Sequence, residues 1–173
     1  MTLLVRHPDT PPGAIRLVEA ELMRVPGGAI ATFRAVGDIS RIVLPPPALA
    51  AATDGLWKST CFELFVTGEG AAYREYNFSP SSAFAAYAFD GYRSRMQPIS
   101  APTEIEFVRD PNSMTLIAKI ESEFPEPAFV GLTAVIEETD GAIRYWSTAF
   151  APGNPDFHAE AIRSLLFDGV GTE

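Results

Sequence analysis

One cysteine, two histidines and no long apolar run set the first limits on this chain of 173 residues. Cys61 has no second cysteine to pair with, so an internal disulfide framework is excluded. Secreted domains more often carry paired cysteines, and a reducing, cytoplasmic setting is the expectation. Cationic residues are also scarce: 13 Lys and Arg stand against 22 Asp and Glu, a formal charge of −9. A phosphate backbone would be repelled by that balance, which argues against nucleic acid as a partner. The opening MTLLVRHPDTPPG reaches Arg6 and His7 after a short apolar stretch, too little for the apolar core of a signal peptide. Nothing approaches the ~18 consecutive apolar residues of a membrane span, so no membrane association is expected.

What the chain does have is short alternation. Hydrophobic residues make up 47% of it, and at this length roughly 70% of the unfolded surface is buried on folding, enough for one domain over residues 1–173. Helical periodicity is rare, whereas brief apolar/polar alternations rich in Val, Ile, Phe, Tyr and Thr recur between turn formers. They predict strands at Ile15–Arg24, Ala29–Val36, Cys61–Val66, Tyr73–Phe78, Ala83–Phe89, Glu104–Asp110, Ser113–Glu121, Val130–Glu138 and Ile143–Phe150. Pro26-Gly27-Gly28, Gly68-Glu69-Gly70, Asp90-Gly91, Asp110-Pro111-Asn112 and Asp140-Gly141 mark the turns. This pattern predicts an all-β sandwich. Ala48–Ala52 is a short helical candidate, and a turn is expected at Ala159–Ser164.

Two stretches carry chemistry: DGLWKSTCFELFV, residues 54–66, and AYREYNFSPSS, residues 72–82. Alternation puts Phe62, Leu64 and Val66 on one face of the first strand and Cys61, Glu63 and Phe65 on the other. On the second, Tyr76 and Phe78 share a face with the stem of Arg74, and Tyr73, Glu75 and Asn77 share the opposite one. A hairpin around Gly68-Glu69-Gly70 would gather Glu63, Glu75 and Asn77 beside aromatic rings. Glu75 and Asn77 also suit an ordinary solvated face. Glu63 suits one less well, because its neighbours on that face are Cys and Phe. Trp57 is either a ligand platform or a plug at the end of the sandwich.

The order Trp57, Glu63, Tyr73-Arg74-Glu75-Tyr76-Asn77-Phe78-Ser79-Pro80, Ala86–Phe89, Tyr145-Trp146-Ser147 and Asp156-Phe157-His158 resembles the family 9 carbohydrate-binding modules. More closely, it resembles the bacterial single-domain group of the DOMON-like superfamily, over residues 15–167. That resemblance implies a jelly-roll-like β-sandwich of two antiparallel sheets that binds a small carbohydrate or sugar derivative without turning it over. It implies that Trp57 and Trp146 clamp a sugar ring while Glu63 binds hydroxyls, with Arg93 or Arg74 as the cationic contact. Glu75 and Asn77 join the site through the strand geometry above. Indole faces stack on sugar C–H faces, and carboxylates accept from hydroxyls with charge-assisted strength. Family 9 modules are usually attached to secreted glycoside hydrolases, and the lack of an export signal here argues against an extracellular polysaccharide. No segment has the dense oxygen-ligand spacing of a calcium site and none carries a flavin signature, so neither a metal nor a cofactor is expected.

Three other classes stay open. Some DOMON branches hold haem between axial side chains, for which His158 with Met96, Met114 or Lys58 are the candidates here. A catalytic reading would rest on Glu63 and Glu75 as a carboxyl pair, but no other catalytic motif accompanies them and no catalytic residue is expected. A module that binds protein is the third.

Overall fold

The computed structural model describes residues 1–169. Positions 170–173, the end of the expected 1–173 domain, lie outside the described residues. The strands in chain order are β1 (Thr2–Leu3), β2 (Val5–Arg6), β3 (Ile15–Val25), β4 (Gly28–Gly37), β5 (Cys61–Thr67), β6 (Tyr73–Phe78), β7 (Phe84–Phe89), β8 (Gln97–Pro98), β9 (Thr103–Asp110), β10 (Ser113–Glu121), β11 (Ala128–Glu137), β12 (Ile143–Ser147) and β13 (Leu165–Phe167). They form two antiparallel sheets in a jelly-roll-like sandwich. The smaller sheet runs β1-β3-β4-β10-β9, and the larger runs β2-β12-β11-β5-β6-β7-β8, with β13 also on β11.

The inner faces follow from alternation. Val18, Ala20, Ala31, Phe33, Leu116 and Ile120 of the smaller sheet meet Phe62, Leu64, Tyr76, Phe78, Leu132 and Ile136 of the larger, all essentially without exposure. Each Val, Leu, Ile or Phe side chain among them contributes about 1.5–3 kcal/mol on leaving water, and each alanine methyl less. Phe33 of one sheet packs on Phe62 and Phe78 of the other, with ring centroids 5.2 and 6.2 Å apart.

Each strand expected from the alternation is present, with ends shifted by a few residues. The expected Ile143–Phe150 strand stops at Ser147, and the backbone bends at Thr148. Thr148 donates its N–H to Leu132 and its hydroxyl to the Ile162 carbonyl. Ala48–Ala52 is not helical: Ala48 N–H donates to Ser81, and Ala52 bridges Phe84, which keeps the segment extended after the three prolines. The expected turn near Ala159–Ser164 is a 3-10 turn at Glu160–Ile162. Strands β1, β2, β8 and β13 span only two or three residues, too short for a period to be read.

The outer face of the larger sheet is not a wet surface. Phe65, Tyr73, Tyr87, Phe89 and Val135 project from it and are covered by the segment that follows β12, through Phe157 and Ile162. Gly131 makes that close approach possible. A β-carbon there would lie 2.5 Å from Ile162 Cδ1 and 2.6 Å from its carbonyl oxygen. Among the described residues no helix is long and apolar enough to cross a membrane.

Candidate functional site

A pocket of about 520 Å³ opens on this outer face, between the sheet and the covering segment. Its floor comes from the two strands singled out in the sequence. The β5–β6 register sets Glu63 directly opposite Asn77 and Phe65 opposite Glu75, so Glu63 and Glu75 are diagonal neighbours on one face. Diagonal positions of this kind lie about 7–8 Å apart at the backbone, within reach of two glutamate side chains. Glu63 accepts from the Thr133 hydroxyl at 3.1 Å, and Glu75 accepts from Asn77 Nδ2 at 3.0 Å.

The walls are aromatic. Trp57 sits in a 3-10 turn, Leu56–Lys58, whose approach needs the left-handed Gly55 (φ 78°), a conformation that costs glycine little. Its indole is half-buried and packs edge-on against Tyr87, with centroids 6.0 Å apart. Tyr87 is anchored in turn by donating to Asp54 at 2.5 Å. Phe89, Tyr145, Phe157 and Val135 complete the apolar lining, and Arg93 and His158 bring polar groups to it.

The His158 side is a fixed network. Asp156 accepts from Tyr92 Oη (2.6 Å), from Arg93 Nη2 (2.9 Å) and from the His158 backbone N–H (3.0 Å), tying the loop after β7 to the segment after β12. Arg93 holds a left-handed φ of 50°, which costs a residue with a side chain roughly 1–2 kcal/mol. The compensation is visible: its backbone N–H donates to Tyr73 Oη at 3.1 Å, besides the ion pair with Asp156. The Tyr73 hydroxyl lies 2.7 Å from His158 Nδ1. With that hydroxyl donating to Nδ1, the ring proton of neutral His158 is assigned to Nε2, 3.8 Å from Glu75 Oε2.

Burial governs the charges. It pushes the Glu63 carboxyl well above the usual carboxylate range, and the nearby Glu75 charge adds to the effect against the Thr133 hydrogen bond. Burial likewise raises Glu75 to about 7, while Asn77 and Arg93 pull it down. His158 is lowered to about 4 by burial and by the positive field of Arg93, so it is neutral at pH 7. Beside the floor, burial and Glu63 raise the Cys61 thiol, leaving it an unreactive small hydrophobe.

The structure brings four of the residues singled out in the sequence, Trp57, Glu63, Glu75 and Arg93, to one pocket, with Asn77 beneath its floor. Trp146 is a correction. Tyr145 and Ser147 pair with Val135 and Thr133 on the outer face, so Trp146 between them points inward, 5% exposed in the core between the sheets. It cannot stack on a ligand in this pocket, and the expected clamp of two indoles does not exist. Its neighbour Tyr145 lines the pocket instead. Arg74 is also elsewhere, donating to the Glu123 carbonyl. Of the residues considered for pairing with His158, Met96 lines the pocket but Met114 is buried in the inner core. No group of three or more His, Cys, Asp or Glu side chains is arranged to hold a metal among the described residues.

The class this geometry defines is a two-sheet β-sandwich with an aromatic, carboxyl-floored pocket on the outer face of the larger sheet. No protein-family model matches the chain, and no curated protein does. A match among solved structures is a protein from Bacteroides uniformis, provisionally described as carbohydrate-binding, with a TM-score of 0.54 and 12% sequence identity. The match covers 84% of this chain and 75% of that one. At that identity the likeness establishes the shared fold.

Proposed function

We propose that the protein binds a small carbohydrate or sugar derivative in this pocket, without catalysis, as a member of the DOMON-like or family 9-like sandwiches. The observation that carries the reading is the pairing of a half-buried indole, Trp57, with two carboxyl groups, Glu63 and Glu75, in a concave site of about 520 Å³. Sugars ask for that combination: an aromatic plane for the C–H face and fixed acceptors for hydroxyls. The likeness to a structure provisionally described as carbohydrate-binding supports it. Stacking rests on Trp57 and Tyr145 rather than on two tryptophans. Arg93 at the rim is a donor to ring or hydroxyl oxygens, and Asn77 holds Glu75 in place.

A ligand that binds only the native state raises stability by RT ln(1 + [L]/Kd). A thermal-shift screen of monosaccharides, disaccharides and sugar phosphates is expected to show at least one concentration-dependent rise in Tm, and Trp57→Ala is expected to remove it. A rise that persists undiminished in Trp57→Ala contradicts this site.

A further inference from the structure

We propose that the ligand presents a primary ammonium group to the pocket floor between Glu63 and Glu75, as an amino sugar does. The inference rests on the carbohydrate reading above and narrows its ligand class.

Three observations converge on it. First, both carboxyl groups are almost fully buried, yet no Arg or Lys pairs with either of them among the described residues. Arg93, whose positive field reaches Glu75, is engaged by Asp156, and Arg163 lies over the Tyr73 ring, 4.6 Å from its centroid. His158 is neutral, and Cys61, Tyr73 and Tyr87 all hold their protons more tightly than usual because of burial. A buried carboxylate without a cation is costly, and it keeps a proton unless a cation arrives.

Second, the carboxyl pair meets few donors, and the polar group behind it is itself short of one. Asn77 is completely buried and sits opposite Glu63, with Nδ2 committed to Glu75 and Oδ1 without a donor among the described residues. Among the described residues the Thr133 hydroxyl is the other side chain within hydrogen-bond distance to donate to the pair, His158 Nε2 standing off at 3.8 Å. A hydroxyl brings one donor, whereas an ammonium brings three and no acceptor, which is the complement this floor lacks.

Third, the surrounding rings Trp57, Phe89, Tyr145 and Phe157 offer aromatic surface that favours a cation over a neutral group. An ammonium would therefore take over the role of the proton that burial holds on the carboxyl pair, and that proton would leave for solvent on binding.

The test is isothermal calorimetry at about pH 6, where an amino sugar is almost wholly ammonium and Glu75 still holds most of its proton, with glucosamine, glucose, N-acetylglucosamine and ethanolamine as probes, in two buffers of different ionisation heat. Glucosamine is expected to bind at least about tenfold more tightly than glucose or N-acetylglucosamine, since removing one charge-assisted pair costs that much. It is also expected to release part of a proton to the buffer. Glu75→Gln should bring glucosamine down to the glucose level. If that variant does not fold, the proton count on the natural protein decides. Glucose or N-acetylglucosamine matching glucosamine, or no proton release, overturns the ammonium seat and leaves the carbohydrate reading intact. Ethanolamine equalling glucosamine supports the seat and sinks the carbohydrate reading, and no binding by any of the four overturns both.

Discussion

Replacing Glu75 by Gln should make the protein more stable at alkaline pH, although it removes a buried hydrogen-bonded side chain. The reasoning is proton linkage. The carboxyl has an ordinary value of 4.5 and is raised by burial to about 7 in the folded chain. Between those values the folded state binds the proton that the unfolded state has released, so rising pH favours unfolding. At about 1.4 kcal/mol per pH unit, the full penalty above pH 7 is about 3 kcal/mol. His158 works in the opposite sense. Its ordinary 6.5 falls to about 4, so the unfolded state binds the extra proton, and stability rises as pH climbs through that window. Glu63, raised well above the carboxylate range by burial, acts in the same sense as Glu75, so the natural protein carries two such terms against one from His158, and the variant removes one of them. Urea denaturation from about pH 4 to about pH 8 should show stability falling more steeply with pH in the natural chain than in Glu75→Gln. Their difference should grow by about 3 kcal/mol in favour of the variant, reduced by any attraction between Glu75 and protonated His158 at 3.8 Å. A gap between the two proteins that stays constant with pH refutes the assignment of a proton to buried Glu75.

Further expectations follow from the packing. Trp146→Ala, a large truncation in the inter-sheet core, should cost ~3–5 kcal/mol in denaturant titration, whereas Trp57→Ala at the half-buried pocket wall should cost much less. Gly131→Ala should destabilise by about 1–3 kcal/mol, because its new methyl meets the Ile162 backbone and must push away the segment bearing Phe157 and His158. Its ligand-induced Tm shift should shrink as well. Cys61 should resist a disulfide thiol reagent in the folded protein and react at once in denaturant, and equal rates in the two states would contradict its burial.

Alternation made the strand faces legible. Phe62, Leu64, Val66, Tyr76 and Phe78 lie inward and Glu63, Glu75 and Asn77 outward, as period-two reading of β5 and β6 requires. Trp146 shows where that reasoning runs out. Whether it or Tyr145 faces the pocket depends on the register of β12 against β11, and nothing within Ile143–Ser147 specifies that pairing. Tyr145 and Phe157 are not marked as pocket walls by the strand pattern, for a related reason. One depends on that register, and the other arrives on an irregular segment folded back over the sheet through the gap at Gly131. The available signal was composition: Phe65, Tyr73, Tyr87 and Phe89 make the polar face too aromatic to be left to water.

Trp57 and Trp146 are the two tryptophans of the chain, which permits a direct optical test of the pocket. In a Trp146→Phe background all indole emission comes from Trp57, and titration with the carbohydrates that raise Tm is expected to shift or quench it saturably. The same titration of Trp57→Phe, with Trp146 as sole emitter, is expected to be flat. A saturable change in Trp57→Phe with none in Trp146→Phe would place the ligand away from this pocket and contradict the account.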